Sequence, residues 1–180
     1  MFQEFDTQDL LGPLNENEKK NAPAKLFLAG DADLFQLRPK VSIVGARKAS
    51  EEGIKRAQRI SRLLAKNGAV IVSGLAEGID KAAHEAAIEA GGKTIAVLGT
   101  PLDKTYPKSN ADLQQQIFEH HAAISQFPIG YPVQPGNFII RNRTMALIVY
   151  ASVIVEASET SGSLSQGWEA FPSARDLSSR

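Results

Sequence analysis

The sequence predicts an α/β domain in which a doubly wound, mainly parallel sheet is covered by helices on both faces. Short apolar runs that suit strands alternate along the chain with segments whose apolar residues recur at helical spacing. The strand-like runs are apolar throughout, which is typical of strands buried on both faces. A chain of 180 residues that is 43% hydrophobic is long enough to form one domain with its own core.

The amino-terminal part of the chain is less regular than the rest. We interpret residues 1–22 as an N-terminal extension with a loop around Gly12–Asn17, and residues 23–180 as the domain. Leu26–Leu28 is predicted to be a short strand. Val41–Val44 is predicted to be a buried strand, and the helix that follows is expected to begin with Ser50 as its N-cap.

The same alternation continues to the end of the chain. Further strands are predicted at Ala69–Val72, Thr94–Leu98, Ala123–Ser125 and Ser152–Val155, and further helices at about 80–90, 111–120, 142–150 and from Ser163 to before Pro172. The strands expected at the centre of the sheet are Val41–Val44, Ala69–Val72, Thr94–Leu98 and Ser152–Val155. Right-handed crossovers then bring the carboxyl ends of parallel strands to one edge, where ligands of such sheets bind.

The charge balance limits how this protein could bind nucleic acid. Twenty basic and twenty acidic residues cancel, so any nucleic-acid site must be a local basic patch. The absence of cysteine excludes disulfides and thiolate metal sites and agrees with a reducing cytoplasm. The amino terminus does not resemble a signal peptide, and the longest apolar run is too short to span a membrane. We therefore expect a cytoplasmic protein with no membrane partner.

Residue types that bind phosphates and bases collect in the loops at the predicted carboxyl edge. Glycines let a ligand approach the backbone closely, and the planar arginine guanidinium matches phosphate. Aromatic rings offer faces on which unpaired bases stack. The candidate binding residues are Gly45, Arg47, Lys48, Ser73, Gly74, Gly78, Tyr106, Phe138, Arg141, Asn142, Arg143, Ser161, Gly162 and Ser163.

Several of these features have a plain structural explanation. Glycines that follow strands are common in turns, and Asp80 suits a helix cap better than a catalytic acid. His84 lies among alanines of a predicted helix and is expected to be structural, and His120-His121 suits a helix carboxyl end. By contrast, Arg141-Asn142-Arg143, at a predicted junction of loop and helix, favours an anion site.

Motifs of several enzyme classes are missing. Gly45 is followed by Ala46-Arg47 and not by the G-x-G-x-x-G spacing of dinucleotide-binding proteins. The sequence has no Walker A motif and no G-x-S-x-G serine nucleophile, and its histidines lack metal-ligand spacing. We therefore expect no cofactor and no enzymatic activity.

Five motifs in order resemble the DNA-processing protein A (DprA/Smf) family. They read VGARKAS, SGLAEGIDKAAHEAA, GGKTIAVLGTPLDKTYPKSNADL, ISQFPIGYPVQPGNFIIRNRTMA and VIVEASETSGSL, within about Pro23 to Ala170. The resemblance implies an extended Rossmann fold that binds single-stranded DNA, loads a RecA recombinase during natural transformation and often dimerises. It implies DNA contacts at Arg47, Phe138 and Arg141-Asn142-Arg143, and a pocket shaped by glycines and serines at Gly45, Ser73, Gly74, Gly78, Ser161 and Gly162.

The resemblance leaves other interpretations open. Members of the family usually carry further domains and a strand after the last helix, so this chain is either a fragment or a short stand-alone member. Related phosphoribohydrolases carry a PGG-x-GT-x-x-E pattern. The corresponding segment here, ETSGSLSQGWE, lacks the PGG, although Glu169 offers a carboxylate. A nucleotide sensor and a domain that has lost DNA binding are the remaining alternatives. The retained Arg47, Arg141 and Arg143 argue against the last.

Overall fold

The computed structural model describes residues 2–157, which form a sheet with helices on both faces. The strands are β1 (Gln3–Asp6), β2 (Lys25–Gly30), β3 (Lys40–Val44), β4 (Val70–Ser73), β5 (Thr94–Leu98), β6 (Ala122–Ser125) and β7 (Ala151–Ile154). The helices are α1 (Thr7–Leu11), α2 (Glu16–Asn21), α3 (Glu51–Lys66), α4 (Ile79–Glu89), α5 (Ala111–His120) and α6 (Pro135–Ile148), with 3-10 turns at Ala32–Phe35 and Lys108–Asn110.

The sheet has the strand order β1-β2-β6-β5-β4-β3-β7. The strands from β6 to β7 run parallel to one another, while β2 pairs antiparallel with β6 and β1 antiparallel with β2. The prediction of a mainly parallel sheet is therefore confirmed. Within the described residues, Ser152–Val155 lies at the edge of the sheet and not at the predicted centre, because β7 pairs there only with β3. The apolar residues just before it, Leu147–Val149, are buried where α6 ends.

The N-terminal residues contribute to the same sheet. Strand β1 pairs with β2 in a register that places Gln3 opposite Leu28. Helix α2 begins with a capping box, in which the Asn15 side chain accepts from the amide of Glu18 at 2.9 Å and Glu18 accepts from the amide of Asn15 at 2.9 Å. The loop predicted for this region is thus partly helical, because Asn-x-x-Glu is a helix start signal that the sequence analysis overlooked.

Alternate residues of the central strands pack on opposite faces of the sheet. Val70 and Val72 belong to the core cluster on the α6 face, whereas Ile71 packs with α3 and α4 on the other. The small residues of α4 allow α3 to approach closely, and the Ser61 hydroxyl donates to the carbonyl of Ala83 at 2.6 Å. Helix α5 covers β5 and β6 on the same face as α3 and α4.

Two helix starts differ from those predicted. Helix α6 begins at Pro135 and not near Asn142, since proline suits the first turn of a helix, where no amide partner is needed. This places residues 138–143 within a helix and not in a loop. The predicted cap at Asp80 is also wrong, because Gly78 is the N-cap of α4 and Asp80 lies in the first turn. The Ser50 cap is confirmed, with its hydroxyl oxygen accepting from the amide of Gly53 at 3.0 Å.

No helix within residues 2–157 is both long enough and apolar enough to cross a membrane.

Candidate nucleic-acid interface

The loops that follow β3 and β4 are fixed against each other at the carboxyl edge of the sheet. The amide of Ala46 donates to the carbonyl of Glu156 at 2.7 Å, and the amide of Ile79 donates to the carbonyl of Ala46 at 3.3 Å. Gly78 adopts φ +74°, and a Cβ there would overlap the carbonyls of Ala46 and Arg47. Only glycine combines this conformation with so close an approach, so the loop that carries Arg47 has a defined position.

An aromatic and cationic cluster lies at this edge. The Arg47 guanidinium lies 5.1 Å from the centroid of the Phe138 ring, and the Tyr106 ring lies 5.4 Å from the same ring at 46°. Arg47 and Tyr106 are exposed and Phe138 is partly exposed. We call Arg47, Tyr106 and Phe138 the edge cluster. It brings together a donor for phosphate and two ring faces for bases, from three separate parts of the chain.

The Phe138 ring rests on the carboxyl end of β5. A Cβ added at Gly99 would lie 2.5 Å from the ring atom Cδ1 of Phe138, closer than real contacts allow. The absence of a side chain at Gly99 therefore leaves the space that the Phe138 ring occupies. A single glycine after a strand is common in turns, so the sequence does not reveal which side chain fills the space beside Gly99.

Arg141 has a different role from the other predicted arginines. Its side chain is buried, with 5% of the residue exposed. The Nη1 atom donates to the carbonyls of Gly74 at 2.6 Å and Val97 at 2.8 Å, and Nε donates to the side-chain oxygen of Asn142 at 3.0 Å. Arg141 thus ties α6, which carries Phe138, to the ends of β4 and β5.

Asp80 bonds to Gly74, the same residue whose carbonyl accepts from Arg141. The Asp80 carboxylate accepts from the amide of Gly74 at 3.1 Å, so Gly74 lies between Asp80 and Arg141. Burial raises the pKa of Asp80, and the Arg141 charge together with the hydrogen bonds to Asp80 opposes this rise. Burial lowers the pKa of Arg141, which the Asp80 charge opposes. These groups are a buried support behind the edge cluster.

The small residues predicted for the site act mainly in packing. The Ser73 hydroxyl is buried and donates to the carbonyl of Ile43 at 2.6 Å. A Cβ at Gly45 would lie 2.7 Å from the Ile79 side chain, and one at Gly74 would overlap the Arg141 guanidinium. The Ser73 hydroxyl and the Gly74 amide form hydrogen bonds within the protein, so these two residues support the site from behind.

The remaining predicted site residues that the structure describes differ in their exposure. Asn142 is partly buried through its bond to Arg141, whereas Lys48 and Arg143 are exposed. Neither Lys48 nor Arg143 forms an ion pair with another residue in the described range 2–157. Ser161, Gly162 and Ser163 lie outside the described residues, as does Glu169.

The positive end of α3 is already occupied. The Glu156 carboxylate accepts from the Ser50 amide at 2.9 Å and from the Ser50 hydroxyl at 2.6 Å, and these bonds lower the pKa of Glu156. A phosphate at this helix end would meet the Glu156 carboxylate, so the amino end of α3 is unfavourable for an anion. In the part of the chain that the structure describes, no group of histidine and acidic side chains could hold a metal ion.

Comparison with known proteins identifies the family of this chain. The model of the DNA recombination-mediator protein A family matches residues 8–178. The chain belongs to this family. DNA processing protein DprA of Streptococcus pneumoniae is 41% identical over 179 residues, which are 98% of this chain and 63% of that protein. The chain thus spans less than two thirds of that relative's length.

Solved structures of two relatives have the same fold. The X-ray structure of DprA from Streptococcus pneumoniae superposes with a TM-score of 0.85 at 42% identity, covering 94% of this chain and 59% of that one. A structure of DNA processing protein A from Helicobacter pylori superposes with a TM-score of 0.80 at 30% identity, covering 92% and 74% of the two chains. The latter structure concerns the single-stranded DNA binding mode of that protein.

Proposed function

We propose that this chain binds single-stranded DNA at the edge cluster and serves as a DNA recombination mediator. The observation that carries the proposal is the position of the Arg47 guanidinium, 5.1 Å from the Phe138 ring at an exposed sheet edge. A base stacked on Phe138 would place its phosphate within reach of a guanidinium that has no ion pair among residues 2–157. Lys48 and Arg143 extend the positive charge on either side.

The preference for single strands follows from the chemistry of the cluster. Bases within a duplex already stack on one another and do not present a free face to Phe138 or Tyr106. Arginine contacts to phosphate alone would bind both forms, so the ring supplies the discrimination. We therefore expect duplex DNA to bind much more weakly than a single strand of the same length.

The wider role rests on the family. We infer a binding protein without hydrolase activity that works in the cytoplasm, with a RecA-type recombinase as a partner and a homodimer as its assembly. The family's description as a recombination mediator and the name of the Helicobacter pylori structure support the DNA-binding part. The partner and the dimer are expectations from the same resemblance.

A direct titration tests the proposal. The chain is titrated with a labelled single-stranded oligonucleotide, a duplex of the same sequence and nucleoside monophosphates, each at low and high salt. We expect tight, salt-sensitive binding of the single strand only. Binding of monophosphates in preference to the oligonucleotide, or release of free base from them, would favour the nucleotide sensor or the phosphoribohydrolase instead.

A further inference from the structure

Helix α6 and the loop before it expose large apolar side chains that the edge cluster does not use. Ile139 and Ile140 are 42% and 39% exposed, and Ile129, Tyr131 and Val133 in the preceding loop are between 40% and 53% exposed. Isoleucine side chains in water forgo the favourable free energy that burial of their apolar surface would give. An exposed apolar group of this size commonly marks a binding surface.

Helical geometry places these side chains next to the edge cluster. Successive residues turn by about 100° around a helix, so residues four apart lie one above the other. Phe138 and Asn142 therefore share one side of α6, and Ile139 and Arg143 share the next side. Ile140 lies beyond them. A strand that leaves Phe138 across the outside of α6 would meet Ile139 and Arg143 first and Ile140 afterwards.

The preceding loop is attached to this part of the helix. The Asn137 side chain donates to the carbonyl of Pro132 at 3.1 Å. The Tyr131 ring lies 5.2 Å from the ring of Phe127, which is 4% exposed and belongs to the buried interior. Tyr131 is thus held by the protein while its ring stays partly exposed. We call Ile129, Tyr131, Val133, Ile139, Ile140 and Arg143 the α6 surface.

The charge around the α6 surface suits a polyanion. The sequence holds no aspartate or glutamate between Glu119 and Glu156. Arg143 has no ion-pair partner among the described residues. A second copy that docked on the same surface would bring Arg143 against another segment without carboxylates, which leaves a charge without a partner. Single-stranded nucleic acid offers apolar base faces and phosphates together.

We propose that single-stranded nucleic acid bound at the edge cluster continues onto the α6 surface. Bases lie against Ile139, Ile140 and Tyr131, and a phosphate lies at Arg143. This inference rests on the proposed function of the edge cluster and extends its footprint. The strand then passes around the first turns of α6, from Phe138 across Ile139 and Arg143 to Ile140 and the loop of residues 129–133.

Oligonucleotide length separates the two parts of the footprint. The measurements use a dinucleotide, which is short enough to stay at the edge cluster, and a single strand of about 15 nucleotides, a length within known single-strand site sizes. In the double variant Ile139→Ser, Ile140→Ser, the long oligonucleotide is expected to bind roughly five- to tenfold more weakly, and the short one as in the wild type. Leu63→Ser, which changes an exposed aliphatic residue of α3, is the matched control and leaves both affinities unchanged.

A gain of binding provides a second, independent test. Ile139→Phe adds a ring at the same position and is expected to tighten binding of the long oligonucleotide only. The proposal is overturned if the serine variant binds the long strand as the wild type does, or if both lengths weaken equally. A changed oligomeric state in sedimentation, with DNA binding unaltered, would assign the α6 surface to contacts between copies. If wild type binds neither oligonucleotide, the edge cluster itself is not a DNA site.

Discussion

Replacement of Arg141 by methionine tests whether this arginine is a buried support or a DNA contact. The change keeps much of the side-chain length but removes the guanidinium. The carbonyls of Gly74 and Val97 then lose their charged donor, at 2.6 and 2.8 Å, inside the protein. Asp80 loses the positive charge that opposes its burial. The variant should therefore be much less stable than the wild type.

The expected loss follows from these contacts. Leaving a buried carbonyl without its donor costs about 1–3 kcal/mol, and here two carbonyls lose theirs while Asp80 loses a nearby opposing charge. Domains of this kind are stable by about 5–15 kcal/mol, so the variant should fold but with a clearly lower urea midpoint. Adding Asp80→Asn removes the stranded charge and should recover about 1 kcal/mol or more.

Urea unfolding followed by circular dichroism measures these changes. Arg143→Met is the matched control, since Arg143 is exposed on the same helix and should change the free energy of unfolding by less than about 0.5 kcal/mol. In DNA binding the order should be reversed: Arg143→Met should weaken binding more than Arg141→Met does and should reduce its salt dependence. A loss below about 1 kcal/mol for Arg141→Met would refute the assignment of Arg141 as a buried support.

Two further variants test the space beside Gly99 and the buried histidine. Gly99→Ala should displace the Phe138 ring and weaken single-strand binding, which fluorescence anisotropy measures. Gly136→Ala is the control, because its added methyl group meets no neighbour and should leave binding unchanged. Equal binding by both variants would contradict the packing of Phe138 against Gly99. Burial lowers the pKa of His84 to about 3, so stability should fall as pH decreases below 6.5, by at most about 1.4 kcal/mol per pH unit, because only the unfolded chain takes up the proton. Urea titrations of His84→Gln should lack this part of the slope, and an unchanged slope would contradict it.

The sequence predicted the parallel part of the fold because each buried strand there is a continuous apolar run. Val41–Val44 and Thr94–Leu98 match β3 and β5 closely. It did not predict β1, whose residues Gln3–Asp6 are mostly exposed and polar and pair, within residues 2–157, only with β2. Edge strands of this kind carry little periodic signal, since neighbouring strands and not burial hold them in place.

The sequence indicated which residues belong to the candidate site but not the role of each one. Arg47, Tyr106 and Phe138 were each singled out, and the structure brings them together. The sequence could not separate Arg141 from Arg143, because the two differ only in which side of α6 they occupy. That distinction became available once the helix was seen to begin at Pro135 and not near Asn142. Helix boundaries are less well specified by sequence than helix existence.

The edge cluster as a single-strand site is tested most directly by binding across a salt series. Wild type, Arg47→Ala, Phe138→Ala and the control Arg59→Ala, an exposed arginine of α3, are titrated with one single-stranded oligonucleotide. Arg47→Ala should lower the slope of log affinity against log salt by about 0.7, the value for one phosphate of a single strand. Phe138→Ala should weaken binding by about 1–3 kcal/mol and leave the slope nearly unchanged. If both variants bind like the wild type and like Arg59→Ala, with the same slope, the single strand does not bind at the edge cluster.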